Sequence, residues 1–580
     1  MLITHLHKLL TTPTAKISKF QVVFWFSLSL TFAAIYGVLG WRQAFSGEYV
    51  VQDDARQHVF WMLRFLDPEL FPQDLIADYF QSLAPVGYSG FYQLMASVGI
   101  NPLVLNKLLP ATLGLITTSY CFSVCLEILP VPATGFIATL LLNQNLWMKD
   151  DLVSGTPRAF AYPLLLAFLY YLLRRSLFPC LAAIALLGLF YPQFIFICAG
   201  ILVLRLWDWE NGHLRLSPER HPYLFCAVGL GVVLLVLLLY ALTSSEFGPT
   251  ITVTEARKLP EFFPGGRATF FHKAPTDYWL TGKGSSMFPK SLFTPVTLCA
   301  GLLLPLLLPY PSRFPLLRQL TTGFMLLPQM LLASIAMFFA AHALLFKLYL
   351  PSRYTGHTFR IVVSILAAIA LTALLDAVFH ACEQKAKPHR HCRQFLALAS
   401  TAVVGVALIL YPSFVKSFPL FTYRVGAVPP LYEFFQQQPK NILIASLAEE
   451  TNNLPVFSQR SILVGKEYAI PYQVGYYRQF RQRTIDLIRA QYNVDLAQVQ
   501  NFIQTYGVDY WLLDRAAFTL EYVANHNWLK QYQPAATEAL VKLEQGKLLA
   551  LSRVMKRCSV FETEGLVVLQ AECIIKQPQA

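Results

Sequence analysis

The chain has 580 residues, 55% of them hydrophobic and only 14% charged, with a formal net charge of +13. A soluble globule of this length carries roughly a quarter of its residues charged, so the composition excludes one and indicates an integral membrane protein. The basic surplus does not indicate a nucleic-acid partner, because no basic run alternates with aromatic residues; it suits cytoplasmic loops facing an anionic lipid bilayer.

Charge-free apolar stretches predict spans at residues 20–40, 108–126, 131–148, 159–173, 222–243, 294–310, 320–346, 361–375 and 394–411. Residues 20–40 lack a small-residue cleavage site and read as an uncleaved first span. The stretch 176–204 is long for one helix and short for two, and Tyr191-Pro192-Gln193 interrupts it. Proline there either kinks one helix or opens a hairpin. With the N-terminus inside, as Lys8, Lys16 and Lys19 indicate, the hairpin concentrates Lys and Arg on short cytoplasmic loops. A single helix leaves almost no charge bias, so the hairpin is preferred. It gives about eleven spans and puts the chain's C-terminal part outside the cell membrane. That is also the face of the two large loops at about 41–102 and 244–293.

Residues 1–411 hold 29 Lys/Arg and 19 Asp/Glu, while the much shorter 412–580 holds 17 and 14. A membrane body is therefore followed by a water-exposed domain long enough to bury its own core. Within it, a helix at 431–437 feeding a strand at 441–446 is echoed by a helix at 496–506 and a strand at 508–514. This pattern predicts an extracytoplasmic α/β domain. Cys558 and Cys573 flank an expected hairpin around Glu564-Gly565, on the oxidising face; they form either a disulfide or two free thiols.

The outer loops are rich in ionisable groups. The first opens with Asp53-Asp54, followed at 55–66 by the apolar spacing of an amphipathic helix, with Val59, Phe60, Leu63 and Leu66 on one side. Such a helix, lying in the interface, places the two carboxylates at the membrane boundary. Either acid can simply cap that helix. Alternatively, two adjacent acids raise one carboxyl's pKa, which suits a general base. Asp74 and Asp78 form either a metal edge or solvated surface. The second outer loop carries Lys149-Asp150-Asp151, and Arg158 stands where a span begins, to snorkel or to bind an anion.

Further on, Arg257 and Arg267 surround Gly265-Gly266, which reads as a phosphate nest or an ordinary turn. Arg353-Tyr354, after Pro351, offers a guanidinium for phosphate or an interfacial anchor. The histidines show no metal-ligand spacing, and His389 and His391 stand in a basic loop without a partner.

The acidic pair Asp53-Asp54, the Arg353-Tyr354 segment and this architecture resemble the GT-C superfamily of membrane glycosyltransferases. Its members include the protein O-mannosyltransferases, lipid A aminoarabinose transferases, arabinosyltransferases and oligosaccharyltransferases. The resemblance implies transfer of a sugar from a polyprenyl-phosphate-linked donor to a glycan, lipid or protein acceptor at the outer face. By it, Asp54 with Asp53 beside it is the general base, and Arg158, Arg353, Tyr354, Arg257 and Arg267 hold the lipid phosphate. A divalent metal is implied only weakly, with Asp150 and Asp151 as ligands. The tryptophan-tryptophan-aspartate signature of the oligosaccharyltransferases is absent, which favours a metal-independent, monosaccharide-transferring member. Rival readings are a polysaccharide polymerase or ligase using lipid-linked sugar, and a transporter.

Overall fold

The computed structural model describes residues 2–210, 213–242, 246–383, 390–416 and 418–578. Six of its helices are long and apolar enough to cross a membrane: Lys19–Ala44, Pro102–Ile128, Arg220–Leu242, Thr322–Ala343, Ser352–Cys382 and Gln394–Phe414. Shorter apolar helices occupy Pro157–Leu173, Leu177–Phe190, Pro192–Leu204 and Val296–Leu307. His389 lies outside the described residues, as does the side chain of His391.

Local chemistry sets the helix ends. Ser18 accepts the Gln21 amide, and Asn101 accepts the Leu103 amide ahead of Pro102, so each helix starts on a side-chain cap. The first two long helices cross tightly at Gly37, where a Cβ would stand 2.8 Å from that of Ala111. The helix Pro132–Leu146 is buried on every side. Its polar end ties loops together: Asn145 donates to the carbonyls of Ser291 at 2.9 Å and Thr294 at 2.6 Å. In contrast, Leu234, Leu235, Phe395 and Val403 are exposed, forming apolar faces suited to lipid.

The stretch 176–204 breaks at Tyr191 into two helices, Leu177–Phe190 and Ile195–Leu204, joined by a turn at Pro192–Phe194. Proline lacks the N–H that a continuous helix needs, and Tyr191 leaves helical backbone angles. The break lies at the same end of the bundle as the loops carrying Asp54, Arg158 and Arg353. At the other end, Glu127 pairs with Arg174 at 3.3 Å, and Glu219 with Arg175 at 3.2 Å.

The C-terminal part holds a five-stranded mixed sheet. Leu443–Ser446 pairs in parallel with Ser461–Ile462 and with Tyr510–Asp514; Leu566–Gln570 runs antiparallel between Tyr510–Asp514 and Ser559–Glu562. The helices Pro429–Gln436 and Leu496–Tyr506 precede the two central parallel strands. Cys558 and Cys573 are disulfide-bonded beside the terminal hairpin. A separate two-stranded ribbon, Val50–Gln52 against Tyr423–Val425, stitches the start of the first large loop to this region.

Residues 55–66 differ from expectation. Only one α-turn forms, Ala55–His58, followed by 3-10 geometry at Phe60–Phe65. Val59 through Leu63 are all buried, with Phe60 edge-on to Tyr468 at 5.7 Å. The segment packs against the helices Leu75–Leu83, Val86–Ser97 and Pro102–Ile128, with Tyr468 of the C-terminal part on Phe60, and so is not an interfacial helix: protein rather than lipid or water covers Val59 to Leu63.

Candidate functional site

A cavity of about 720 Å³ opens where the loops carrying Asp54, Arg158 and Arg353, the Tyr191 break and the C-terminal part meet. Its walls carry four acids, Asp53, Asp54, Asp150 and Asp151, against seven cations: Lys149, Arg158, Arg267, Lys283, Lys290, Arg353 and Arg360. Excess positive charge in a partly enclosed space attracts anions.

The two members of the acidic pair do different work. The ribbon delivers them, with the Asp53 amide bonded to the Thr422 carbonyl at 2.9 Å. Asp53 then turns to the C-terminal part: it pairs with Arg56 and accepts from Arg424 at 2.9 Å. Asp54 turns the other way and is bound by the Arg158 guanidinium. Neither caps the following turn. The side chain of Gln52 does so, accepting the amides of Asp54 at 2.8 Å and Ala55 at 3.3 Å. The Asp54 carboxylate is thereby left free to face the cavity.

Arg158 is the hub. Besides Asp54 it donates to the Asp150 carbonyl at 3.2 Å and lies 3.8 Å from the Asp151 carboxylate. Asp151 also accepts from the Tyr162 hydroxyl at 3.3 Å, and the Asp150 carboxylate accepts the Thr422 amide at 3.1 Å. Burial would raise the Asp54 carboxyl, but Arg158 and, less strongly, Arg267 and Arg353 outweigh it and hold it below its ordinary value. Asp151 is likewise held low, burial being outweighed by His357, Arg158 and Arg360. Burial raises Asp150, which has less cationic help. Burial also pushes His58, beside Asp54, down to about 4, so its imidazole is neutral at pH 7. Lys149 is pushed down to about 7, by burial first and then by Arg360.

Arg158 stands among the carboxylates that a divalent metal would need. Asp54 and Asp151 both address Arg158, and Asp150 is bonded to a backbone amide. The guanidinium supplies positive charge beside these carboxylates.

Of the residues singled out from sequence, Asp53, Asp54, Asp150, Asp151, Arg158, Arg267 and Arg353 line the cavity. Tyr354 and Arg257 do not reach it. Tyr354 is buried and donates to the Leu348 carbonyl at 2.9 Å, while Arg257 lies over the Phe271 ring at 5.5 Å. Gly265-Gly266 forms a turn, the Gly266 amide returning to the Phe263 carbonyl at 2.9 Å. Asp74 caps the Leu75–Leu83 helix, and Asp78 pairs with Arg64 at 2.7 Å.

Sequence reasoning missed Lys283, Lys290, His357 and Arg360, and named Lys149 without giving it a role. Two of them left a signal: Arg353, His357 and Arg360 are spaced i, i+4, i+7 at the start of an apolar span, placing all three on one helix face. It also missed Glu467, which lies just behind the cavity wall. Glu467 pairs with Arg267, sits 3.3 Å from Arg56, and accepts from Gln57 at 2.5 Å. This network clamps the first large loop and the 244–293 loop to the C-terminal part.

No family model matches the chain, and no curated protein matches it in sequence. Among solved structures, the oligosaccharyltransferase of Archaeoglobus fulgidus in its apo form is similar at 13% identity. That likeness covers 90% of this chain and 72% of the other, with a TM-score of 0.55. The same enzyme tethered to an acceptor peptide with the NVT sequon gives 13% identity, 89% and 72% coverage and a TM-score of 0.54. Bound to an inhibitory peptide and a dolichol-phosphate, it gives 14%, 90% and 72%, and 0.50. Over nine-tenths of its length the chain therefore shares the fold of these oligosaccharyltransferase structures, which belong to the GT-C membrane glycosyltransferases.

Proposed function

We propose that this chain transfers a sugar from a polyprenyl-phosphate-linked donor to an acceptor hydroxyl in the cavity, at the outer face of the membrane. The observation that carries the reading is the pairing of Asp54 with Arg158 inside a cavity with surplus cations. The archaeal neighbour solved with a dolichol-phosphate supports the choice of lipid carrier.

In this scheme the donor phosphate enters against Arg353, Lys149 and Arg158. As Arg158 shares its charge with the phosphate, Asp54 loses part of its compensation and becomes more basic. The acceptor oxygen attacks the anomeric carbon while Asp54 takes the hydroxyl proton, and the bond from that carbon to the phosphate oxygen breaks. Polyprenyl phosphate leaves with the electron pair, and the cations stabilise the charge developing on it. Asp53, committed to Arg56 and Arg424, positions the strand that presents Asp54. Asp150 and Asp151 act through Arg158 and require no metal.

The test is Asp54→Asn in the purified full chain, with donor binding and turnover measured separately. Turnover falling by about 10²- to 10⁴-fold with phosphate binding retained supports a general base. Turnover within a few-fold of the parent overturns the assignment.

A further inference from the structure

We propose a transition-metal site of the zinc class at the end of the bundle opposite the cavity, formed by His7, Asp376 and His380. The ligand atoms of these three side chains all lie within 4.8 Å of one another. Both imidazoles address the same carboxylate oxygen: His7 Nε2 lies 2.9 Å and His380 Nε2 3.7 Å from Asp376 Oδ1. Ligands about 2.0–2.1 Å from a tetrahedral zinc stand about 3.4 Å apart, and the observed distances bracket that spacing.

Two further features point to a cation. Asp376 is 3% exposed, and its second oxygen, Oδ2, is buried with no hydrogen-bond partner among the described residues. A buried carboxylate left half-satisfied is costly unless a charge compensates it. The side chains are also held for the purpose. His7 stacks on Phe379 at 5.2 Å and meets His380 edge-on at 4.8 Å. Leu375, Phe379 and Cys382 are packed with Ile3, Leu6 and Leu10 of the helix Leu2–Thr11.

Two imidazoles and one carboxylate form a nitrogen-rich donor set, which suits zinc and its neighbours better than magnesium or calcium. His380 is half-exposed, so a fourth position faces solvent. Asp376 and His380 are one turn apart on Ser352–Glu383, whereas His7 comes from 369 residues away. No local spacing in the sequence reveals such a trio. Arg353 and Asp376 are 23 residues apart on this helix, about 35 Å. The ion is therefore remote from sugar transfer; it fastens the N-terminal helix to the helix whose other end carries Arg353, His357 and Arg360.

The experiment uses the full chain, purified in detergent through a tag without histidine, loaded with zinc alone and then dialysed. Elemental analysis is expected to find one zinc per chain. Cobalt loading is expected to give the visible bands of a four-coordinate nitrogen–oxygen site. His7→Gln and His380→Gln should each weaken zinc binding by roughly 100-fold or more, beyond what loss of an outer-shell partner costs. His380 is exposed enough for its variant to fold. Absence of stoichiometric zinc in the parent, lack of the cobalt bands, or zinc retention by both variants would overturn the site.

Discussion

Arg158 binds the Asp54 carboxylate across 104 residues of sequence, joining the loop at 147–158 to the loop that opens with Asp53. Each group is useful because of the other. Without Arg158, Asp54 would lose the largest charge that opposes its desolvation; without Asp54, Arg158 would be one more cation in an already positive cavity. The pairing makes a carboxylate that stays ionised at neutral pH and gains basicity only when an anion competes for its partner.

That relationship predicts a pH profile. The Asp54 carboxyl is lowered in the folded chain, so its stabilising effect is present above the ordinary carboxylate pKa and is lost as pH falls through the lowered value. The acid limb of kcat/KM should accordingly lie below the ordinary aspartate range. Arg158→Gln removes the largest compensating charge and leaves burial unopposed by it, so the acid limb should move to higher pH. An acid limb that stays in place in this variant would remove Asp54 from the proton-transfer step.

Lys149 gives a second pH signature. Its ammonium is pushed down to about 7, so near neutrality a sizeable fraction is uncharged in the empty cavity. A phosphodiester donor should draw a proton onto it, and affinity should fall as pH rises through 7. Calorimetry in buffers of different ionisation enthalpy should show proton uptake on binding. In Lys149→Met the uptake should vanish and affinity should become flat across that range; persistence of the uptake would assign it to another group.

Much of this arrangement was written locally in the sequence, and the remainder was not. Hydropathy located the long spans, and Tyr191-Pro192 marked a break because proline removes a helical donor wherever it falls. Helix–strand alternation forecast the strands at Leu443–Ser446 and Tyr510–Asp514. Asp54 and Arg158 were legible as ionisable groups at span ends, but their pairing was not, since 104 residues separate them. Residues 55–66 misled as well: their spacing fits an amphipathic helix, but the helices that follow and Tyr468 of the C-terminal part bury the segment on more than its apolar side. The resemblance placed Tyr354 and Arg257 on the lipid phosphate, yet a backbone carbonyl and an aromatic ring claimed them.

Glu467 is expected to hold the roof over the cavity. It is largely buried and serves both Arg56 and Arg267, and burial raises its carboxyl despite them. Glu467→Ala leaves Arg267 without its anion, while Arg56 keeps Asp53. Thermal unfolding in detergent should show a clear drop in stability, with turnover impaired because Arg267 is no longer aimed into the cavity. An unchanged melting temperature would mean that the C-terminal part docks through its apolar contacts alone.

The last prediction concerns sidedness, on which the scheme depends. Lys576 is exposed near the Cys558–Cys573 disulfide, at the same end of the molecule as the candidate site. In a chain with Cys558 and Cys573 replaced by serine, Lys576→Cys should react with an impermeant thiol reagent in intact cells. The serine pair should itself cost about 3 kcal/mol of local stability, the loop-closure value for a crosslink of 15 residues, so the labelling is best read at low temperature. Reaction from outside puts Asp54, Arg158 and the C-terminal sheet on the face where lipid-linked sugars are used. Protection until the membrane is broken would put the cavity in the cytoplasm. Lipid-linked donors at the outer face would then be out of its reach, and a transporter or a polymerase working from inside would replace the present reading.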